Sequence, residues 1–182
     1  MLIRPLQISG AFEVQLQAKR DERGYFMRSY DSDSFVRHDL NDSWVQENEA
    51  FSIQKGIIRG LHFQKPPYAE TKLVRVARGA VLDVFVDIRR SSPSYGKCEM
   101  IELSEANHRA VYIPKGCAHG YCTLTESSVV LYKVDQTYAP QFEGGLRWND
   151  SELAIPWPEI KPIVSAKDSV LPVLRDIVSP FD

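Results

Sequence analysis

Alternation at period two dominates this chain. Phe12, Val14 and Leu16 alternate with Glu13, Gln15 and Gln17, which predicts a half-buried strand. Residues 25–30 (YFMRSY), 44–52 (WVQENEAFS), 98–103, 111–113 and 128–134 (SVVLYKV) are further strand candidates. The pattern is densest between Gly56 and Arg89. There Ile57 and Ile58 lead into Arg59, Gly60, Leu61 and His62, and a turn at Pro66 and Pro67 follows. Two β-rich runs come next, 73–77 and 81–88, broken only by Arg78 and Gly79, and they predict a β-hairpin. In the second run Val81, Phe85 and Ile88 are interleaved with Asp83 and Asp87. Carboxylates inside a strand that otherwise reads as buried need partners. Arg59, His62, Lys72, Arg75 and Asp83 crowd into this one region, which predicts the floor of a polar pocket.

Turns punctuate the strands. The segments KRDERG (19–24), SSPSYG (91–96), EANH (105–108) and PKGCAHGY (114–121) read as turns, and 137–150 as a structured loop. Helical signals are few. Residues 31–38 predict one or two turns capped by Ser32 or Asp33. Ser165 followed by Asp168 resembles a capping box, and Pro172 keeps the helix short or bent, so 159–182 is predicted as a short helical tail. Short strands at spacings of roughly 8–12 residues predict an all-β sandwich or barrel in a single domain over 1–182. No helix of 10–15 residues separates the strands, which excludes a parallel α/β fold. The run Met1–Ile3 is an edge strand or an arm that pairs with a partner chain.

Charge narrows the partners. The 22 basic and 24 acidic residues leave a net charge of −2, with no global pull toward nucleic acid or an anionic membrane. There is no signal-like start and no run of 18 apolar residues, so a soluble, cytoplasmic chain is expected. Cys98, Cys117 and Cys122 are odd in number and form no CxxC, which reads as packed thiols.

The candidate chemistry sits on a few polar residues in apolar surroundings. His62, between Leu61 and Phe63, is either a hydrogen-bonded structural histidine or a general base whose tautomer is fixed by Asp83 or Asp168. Tyr132 is either ordinary packing or a general acid held near a strand centre. Lys72 is a surface strand lysine or, in a pocket, a cation that stabilises charge developing on an oxygen. Arg59 and Arg23 are surface ion-pair partners or phosphate forks. Asp168 is most simply a first-turn helix residue. His119, in PKGCAHG, lies in a stretch that resembles the second metal-binding motif of cupins, but Phe63 and Gln64 follow His62, so the His-x-His pair of the first motif is missing. A metal site needs three or four converging ligands, and none is expected here.

Together these stretches carry a resemblance. RGYFMRSY (23–30), VQEN (45–48), GIIRGLHFQ (56–64), KLVRVARGAVLDVFVDIR (72–89), YIPKGCAHGY (112–121), VLYKV (130–134), YAP (138–140), GLRWNDSELAIPWP (145–158) and SAKD (165–168) keep the order and approximate spacing of one family. The chain resembles the dTDP-4-dehydrorhamnose 3,5-epimerases, nucleotide-sugar epimerases with a jelly-roll, cupin-like fold. The resemblance implies His62 as base, Asp168 as its partner, Tyr132 as acid and Lys72 beside the enolate oxygen, with Asp83 as a further pocket carboxylate. It implies that Arg23, Gln46, Asn48, Arg59 and His119 contact the nucleotide diphosphate sugar. Phe26 and Tyr138 would lie near the nucleobase, with Glu143 in the same binding region. It further implies a homodimer with exchanged N-terminal strands over residues 1–20, and no cofactor.

Two stretches depart from the family pattern. VDQTY (134–138) stands where Cys-Thr-Asp-Tyr-Tyr is common, and Glu49 and Ala50 stand where His and Ser are common. Both departures bear on the nucleobase and the sugar more than on the reaction type. The alternatives are a 3- or 5-monoepimerase of a related dTDP or CDP sugar, a 3,4-ketoisomerase on the same scaffold, and a non-catalytic sugar-nucleotide binding module. The joint presence of His62, Lys72, Tyr132 and Asp168 argues against the last, because binding alone needs no acid–base set.

Overall fold

Valine- and isoleucine-rich runs bury one face when two sheets stack, and here they do so twice over. The computed structural model describes all 182 residues. The first sheet runs in the order β1 (Leu2–Pro5), β2 (Phe12–Gln15), β10 (Arg109–Ile113), β7 (Lys72–Arg78), β12 (Ser128–Val134) and β5 (Gln46–Ser52). The second runs β13 (Glu143–Gly145), β6 (Ile57–Gln64), β11 (Cys117–Thr123), β8 (Ala80–Asp87) and β9 (Cys98–Ser104). A two-residue strand, β14 (Ile163–Val164), lies parallel to β6. The pairs within the two main sheets are otherwise antiparallel, and the architecture is a jelly-roll, cupin-like double-stranded β-helix.

Between the sheets, Val74, Val76 and Val130 meet Val81, Phe85 and Tyr121 in the central core. The second sheet is covered on its other face too, where Leu61, Phe63, Val84 and Val86 pack against Leu146, Leu153, Ile155 and Phe181. Burial on both faces explains why β8 reads as a nearly continuous apolar run. The outer face of the first sheet is covered by Phe35, which is carried on the five-residue helix α1 (Ser32–Val36).

Several sequence expectations change here. The runs 73–77 and 81–88 do not form a hairpin: β7 and β8 belong to opposite sheets. The chain turns that corner at Gly79, whose φ of +75° is left-handed and whose added Cβ would lie 2.4 Å from Thr125 Oγ1. Lys72 shares the inward pleat of Val74 and Val76, so Arg75 faces the other way and drops out of the pocket floor. Most of PKGCAHGY is strand, not turn, because β11 runs from Cys117 onward. The charged stretch 19–24 is largely a hairpin of β3 (Ala18–Asp21) and β4 (Gly24–Met27). Asp31 caps α1, accepting from the Ser34 amide at 2.9 Å, in place of Ser32 or Asp33. β1 is an edge strand paired to β2 of its own chain. The tail's helical content is a four-residue helix, α2 (Ala166–Ser169), and one 3-10 turn, Leu174–Asp176, after the short strand β14. No helix is long and apolar enough to cross a membrane.

Candidate active site

The site begins at an irregularity in β6. Arg59 and His62 are three residues apart, so in a regular strand they would face opposite ways. The register with β11 shifts between them: His119 sits opposite His62, and Tyr121 sits opposite Arg59. Two residues of β11 thus span three of β6, which is a β-bulge, and it brings both side chains to the inner face. Gly60 makes the bulge possible. Its φ is +107°, and a Cβ there would lie 2.6 Å from the His119 carbonyl oxygen.

The bulge also frees the Gly60 amide to point at Asp168. That residue returns from more than a hundred positions downstream. β14 lies alongside Ile57 and Ile58, and Ser165 then caps α2 by accepting from the Asp168 amide at 3.0 Å. One carboxylate oxygen of Asp168 is 2.6 Å from His62 Nε2, and the other accepts from Gly60 N–H at 3.2 Å. The aspartate is buried and the imidazole is partly exposed to the cavity, at 6% and 30% of their side chains. A carboxylate on Nε2 holds the proton there and leaves Nδ1 as the basic nitrogen.

Two adjoining cavities of about 490 and 440 Å³ share His62, Lys72 and Tyr132 as walls. His62 comes from the second sheet, and Lys72 and Tyr132 from the first, so the base candidate faces the acid candidate across the gap. Burial pushes the Tyr132 phenol above its usual value, and the negative charge of Glu70 adds to this. Lys72 Nζ lies 3.1 Å from Glu70 Oε1. His119 lines the first cavity and is 2.9 Å from Asp83 Oδ2. Arg59 is tied to β5 through its bond to the Phe51 carbonyl oxygen, 3.1 Å.

The second cavity holds the binding candidates from β5 and its surroundings. Gln46 and Asn48 share the inward face of β5, with Asn48 directly opposite Tyr132. Gln46 Oε1 accepts from the Tyr138 amide at 2.8 Å. The Tyr138 hydroxyl donates to Glu143 at 3.1 Å, and Lys167 Nζ reaches the same oxygen at 2.6 Å. Burial raises the Glu143 carboxyl, but the bonds from Lys167 and Tyr138 outweigh it and hold the group below its usual range. Of the two departures at 49 and 50, Ala50 lines the first cavity, while Glu49 lies on the opposite pleat.

Ten of the thirteen residues singled out from sequence therefore converge on these two cavities. Asp83 does not line them. Its carboxylate is fully buried behind His119, with Oδ1 lacking any partner in the chain, so it acts on the site by holding that imidazole. Arg23 and Phe26 are also absent. Both lie on the β3–β4 hairpin, where Arg23 pairs with Asp21 at 2.6 Å and Phe26 is 69% exposed. Sequence reasoning missed Glu70, Lys167 and Tyr121. Lys167 had a signal in its position beside Asp168; Glu70, just after a double proline, reads as a solvated loop acid.

No three His, Cys, Asp or Glu side chains converge as metal ligands. His62 and His119 sit opposite each other, but each turns a ring nitrogen to its own aspartate.

Comparison with known proteins places this geometry. The family model described as dTDP-4-dehydrorhamnose 3,5-epimerase matches residues 5–176. A dTDP-4-dehydrorhamnose 3,5-epimerase of Sinorhizobium fredii is 39% identical over 182 residues, covering 100% of this chain and 93% of the relative. A dTDP-4-dehydrorhamnose 3-epimerase of Streptomyces niveus is 38% identical over 171 residues, covering 92% and 81%. The crystal structure of the Bacillus anthracis dTDP-4-dehydrorhamnose 3,5-epimerase with TDP and PPi bound superposes with a TM-score of 0.92 at 43% identity, covering 94% of this chain and 98% of that one. With a model matched over nearly its whole length and relatives of this identity and coverage, the chain belongs to the dTDP-4-dehydrorhamnose 3,5-epimerase family.

Proposed function

We propose that this chain inverts C3 and C5 of dTDP-4-dehydro-6-deoxy-D-glucose, giving dTDP-4-dehydro-L-rhamnose. The observation that carries this reading is His62 on one sheet, backed by Asp168 of α2, facing Lys72 and Tyr132 on the other sheet. The C4 ketone acidifies the hydrogens on both neighbouring carbons. His62 Nδ1 takes one of them, and Asp168 stabilises the imidazolium that forms. The electron pair moves onto the C4 oxygen as an enolate, which the Lys72 ammonium stabilises. Tyr132 returns a proton from the opposite face, inverting the centre. The ketone is regenerated, solvent takes the proton from the imidazolium and returns one to the tyrosinate, and the same cycle then serves the second carbon. His119, held by Asp83, and Arg59 bind the diphosphate sugar and keep the hexose in register, which is positioning and not proton transfer. Tyr138 and Glu143 suit the nucleobase end, at the rim of the second cavity.

The working form in this reading is a homodimer. Arg23 and Phe26 face away from their own chain's cavities, and Phe26 is an exposed aromatic with no apolar cover. β1 and β2 stay in their own chain's sheet, and it is the β3–β4 hairpin that completes the neighbouring site. The three cysteines are all free, as suits work in the reducing cytoplasm.

The similarity to the Streptomyces niveus 3-epimerase favours one rival, inversion at C3 alone. Product NMR after turnover in deuterated water decides. The proposal predicts deuterium and inversion at both C3 and C5. Inversion confined to one carbon contradicts it, and a ketone moved to C3 makes the chain a ketoisomerase.

A further inference from the structure

We propose that Glu70 is a positioning residue of this site. Its carboxylate, held by Gln64, fixes the Lys72 ammonium at the wall of the cavity that both share with Tyr132. The inference rests on the reading of the cavity as a proton-transfer site.

Glu70 and Lys72 form an ion pair at 3.1 Å, with only 13% and 10% of their side chains exposed. The second oxygen of Glu70 accepts from Gln64 Nε2 at 3.1 Å. Gln64 cannot swing away. Its amide also donates to the carbonyl oxygens of Tyr68 and Thr137, and its own oxygen accepts from the Ala139 amide at 2.6 Å. The carboxylate is therefore clamped on one side and clamps Lys72 on the other.

A pair this buried is a weak source of stability, because removing two charges from water offsets much of their attraction. It also weakens the field Lys72 can offer an enolate. What it supplies is direction and sign. A lysine has a flexible four-carbon stem, and an ammonium a fraction of an ångström out of place loses the developing oxyanion. The same negative charge lies close enough to Tyr132 to disfavour its phenolate, second only to burial, while Arg59 acts in the opposite sense. The other ionisable groups around Tyr132 are His62 from β6, Tyr121 from β11, Lys72 from β7, and Tyr138 and Glu143 from the segment after β12. His119, Lys167 and Asp168 also line the first cavity with Tyr132, and of the carboxylates around it Glu70 is the one whose charge acts on the phenol.

The sign is testable. Removing a negative charge makes the phenolate easier to form, so the pH at which the acid is lost must fall. Rates on dTDP-4-dehydro-6-deoxy-D-glucose are measured across pH for the wild type, E70Q and E70D. In E70Q, kcat should fall about tenfold with KM little changed, and the alkaline limb should move down by about one pH unit. E70D keeps the charge and should keep the limb. An unmoved limb in E70Q, or a change in KM alone, overturns the proposal. Should E70Q not fold, E70D carries the test: its shorter carboxylate draws away from Lys72, so kcat should fall with KM and the limb little changed, and a wild-type kcat overturns the proposal. Deuterium entry from solvent separates the two layers. A wild type that exchanges no substrate hydrogen sinks the proton-transfer reading and the role of Glu70 with it. Exchange in the wild type beside an unmoved E70Q limb sinks the Glu70 role alone.

Discussion

Asp168 does two things with one carboxylate: it orients His62 and it accepts the amide that the Gly60 bulge releases. Asp168→Asn keeps the size but loses the charge that stabilises an imidazolium. We expect kcat to fall by about a hundredfold or more while circular dichroism and KM stay close to wild type. Comparable loss in KM alone would make Asp168 a binding residue. At this scale the sequence is informative where chemistry and burial conflict. His62 and Tyr132 stand in apolar strands, and an imidazole or phenol there calls for an explanation. It is less informative about what lies behind a side chain. Asp83 reads as a pocket acid but is sealed behind His119, and Glu70 reads as loop surface but is clamped inside. The first depends on a partner 36 residues away, and the second on Gln64 being pinned by Thr137 and Ala139 from a distant part of the chain.

The β6 bulge is the element on which the site's geometry depends. In an unbroken strand Arg59 would leave the cavity when His62 entered it. Gly60→Ala adds a Cβ at 2.6 Å from a backbone oxygen and forces a left-handed φ on alanine. We expect a loss of roughly 1–3 kcal/mol in denaturant unfolding, with activity falling in the fraction that remains folded. Unchanged stability and full activity would show that the bulge is dispensable. Strand alternation made most elements legible, including β2, β9 and β12, because half-buried strands imprint period two on the sequence. It could not show that β7 and β8 part company at Gly79. A two-residue break between apolar runs looks alike whether the chain turns back within a sheet or crosses to the facing one. The bulge is equally invisible, since GIIRGLH differs from a regular strand only by its glycine.

At the scale of the molecule, the site draws on both sheets and on the far end of the chain. No local pattern could assemble it; the family resemblance did, by fixing which distant blocks belong together. Arg23 and Phe26 are the residues that one chain leaves outside. Co-expression tests whether a partner uses them. A His62→Ala chain paired with an R23A/F26A chain should regain activity, because one of the two sites then combines an intact base with an intact hairpin from the neighbour. If each chain uses its own hairpin, the mixture stays inactive. The central claim, that His62 takes the substrate protons, is tested most directly by NMR of dTDP-4-dehydro-6-deoxy-D-glucose in deuterated water with the wild type and with folded His62→Ala. The account predicts deuterium at C3 and C5 with the wild type and at neither carbon with the variant. Exchange at the wild-type rate in His62→Ala would contradict it.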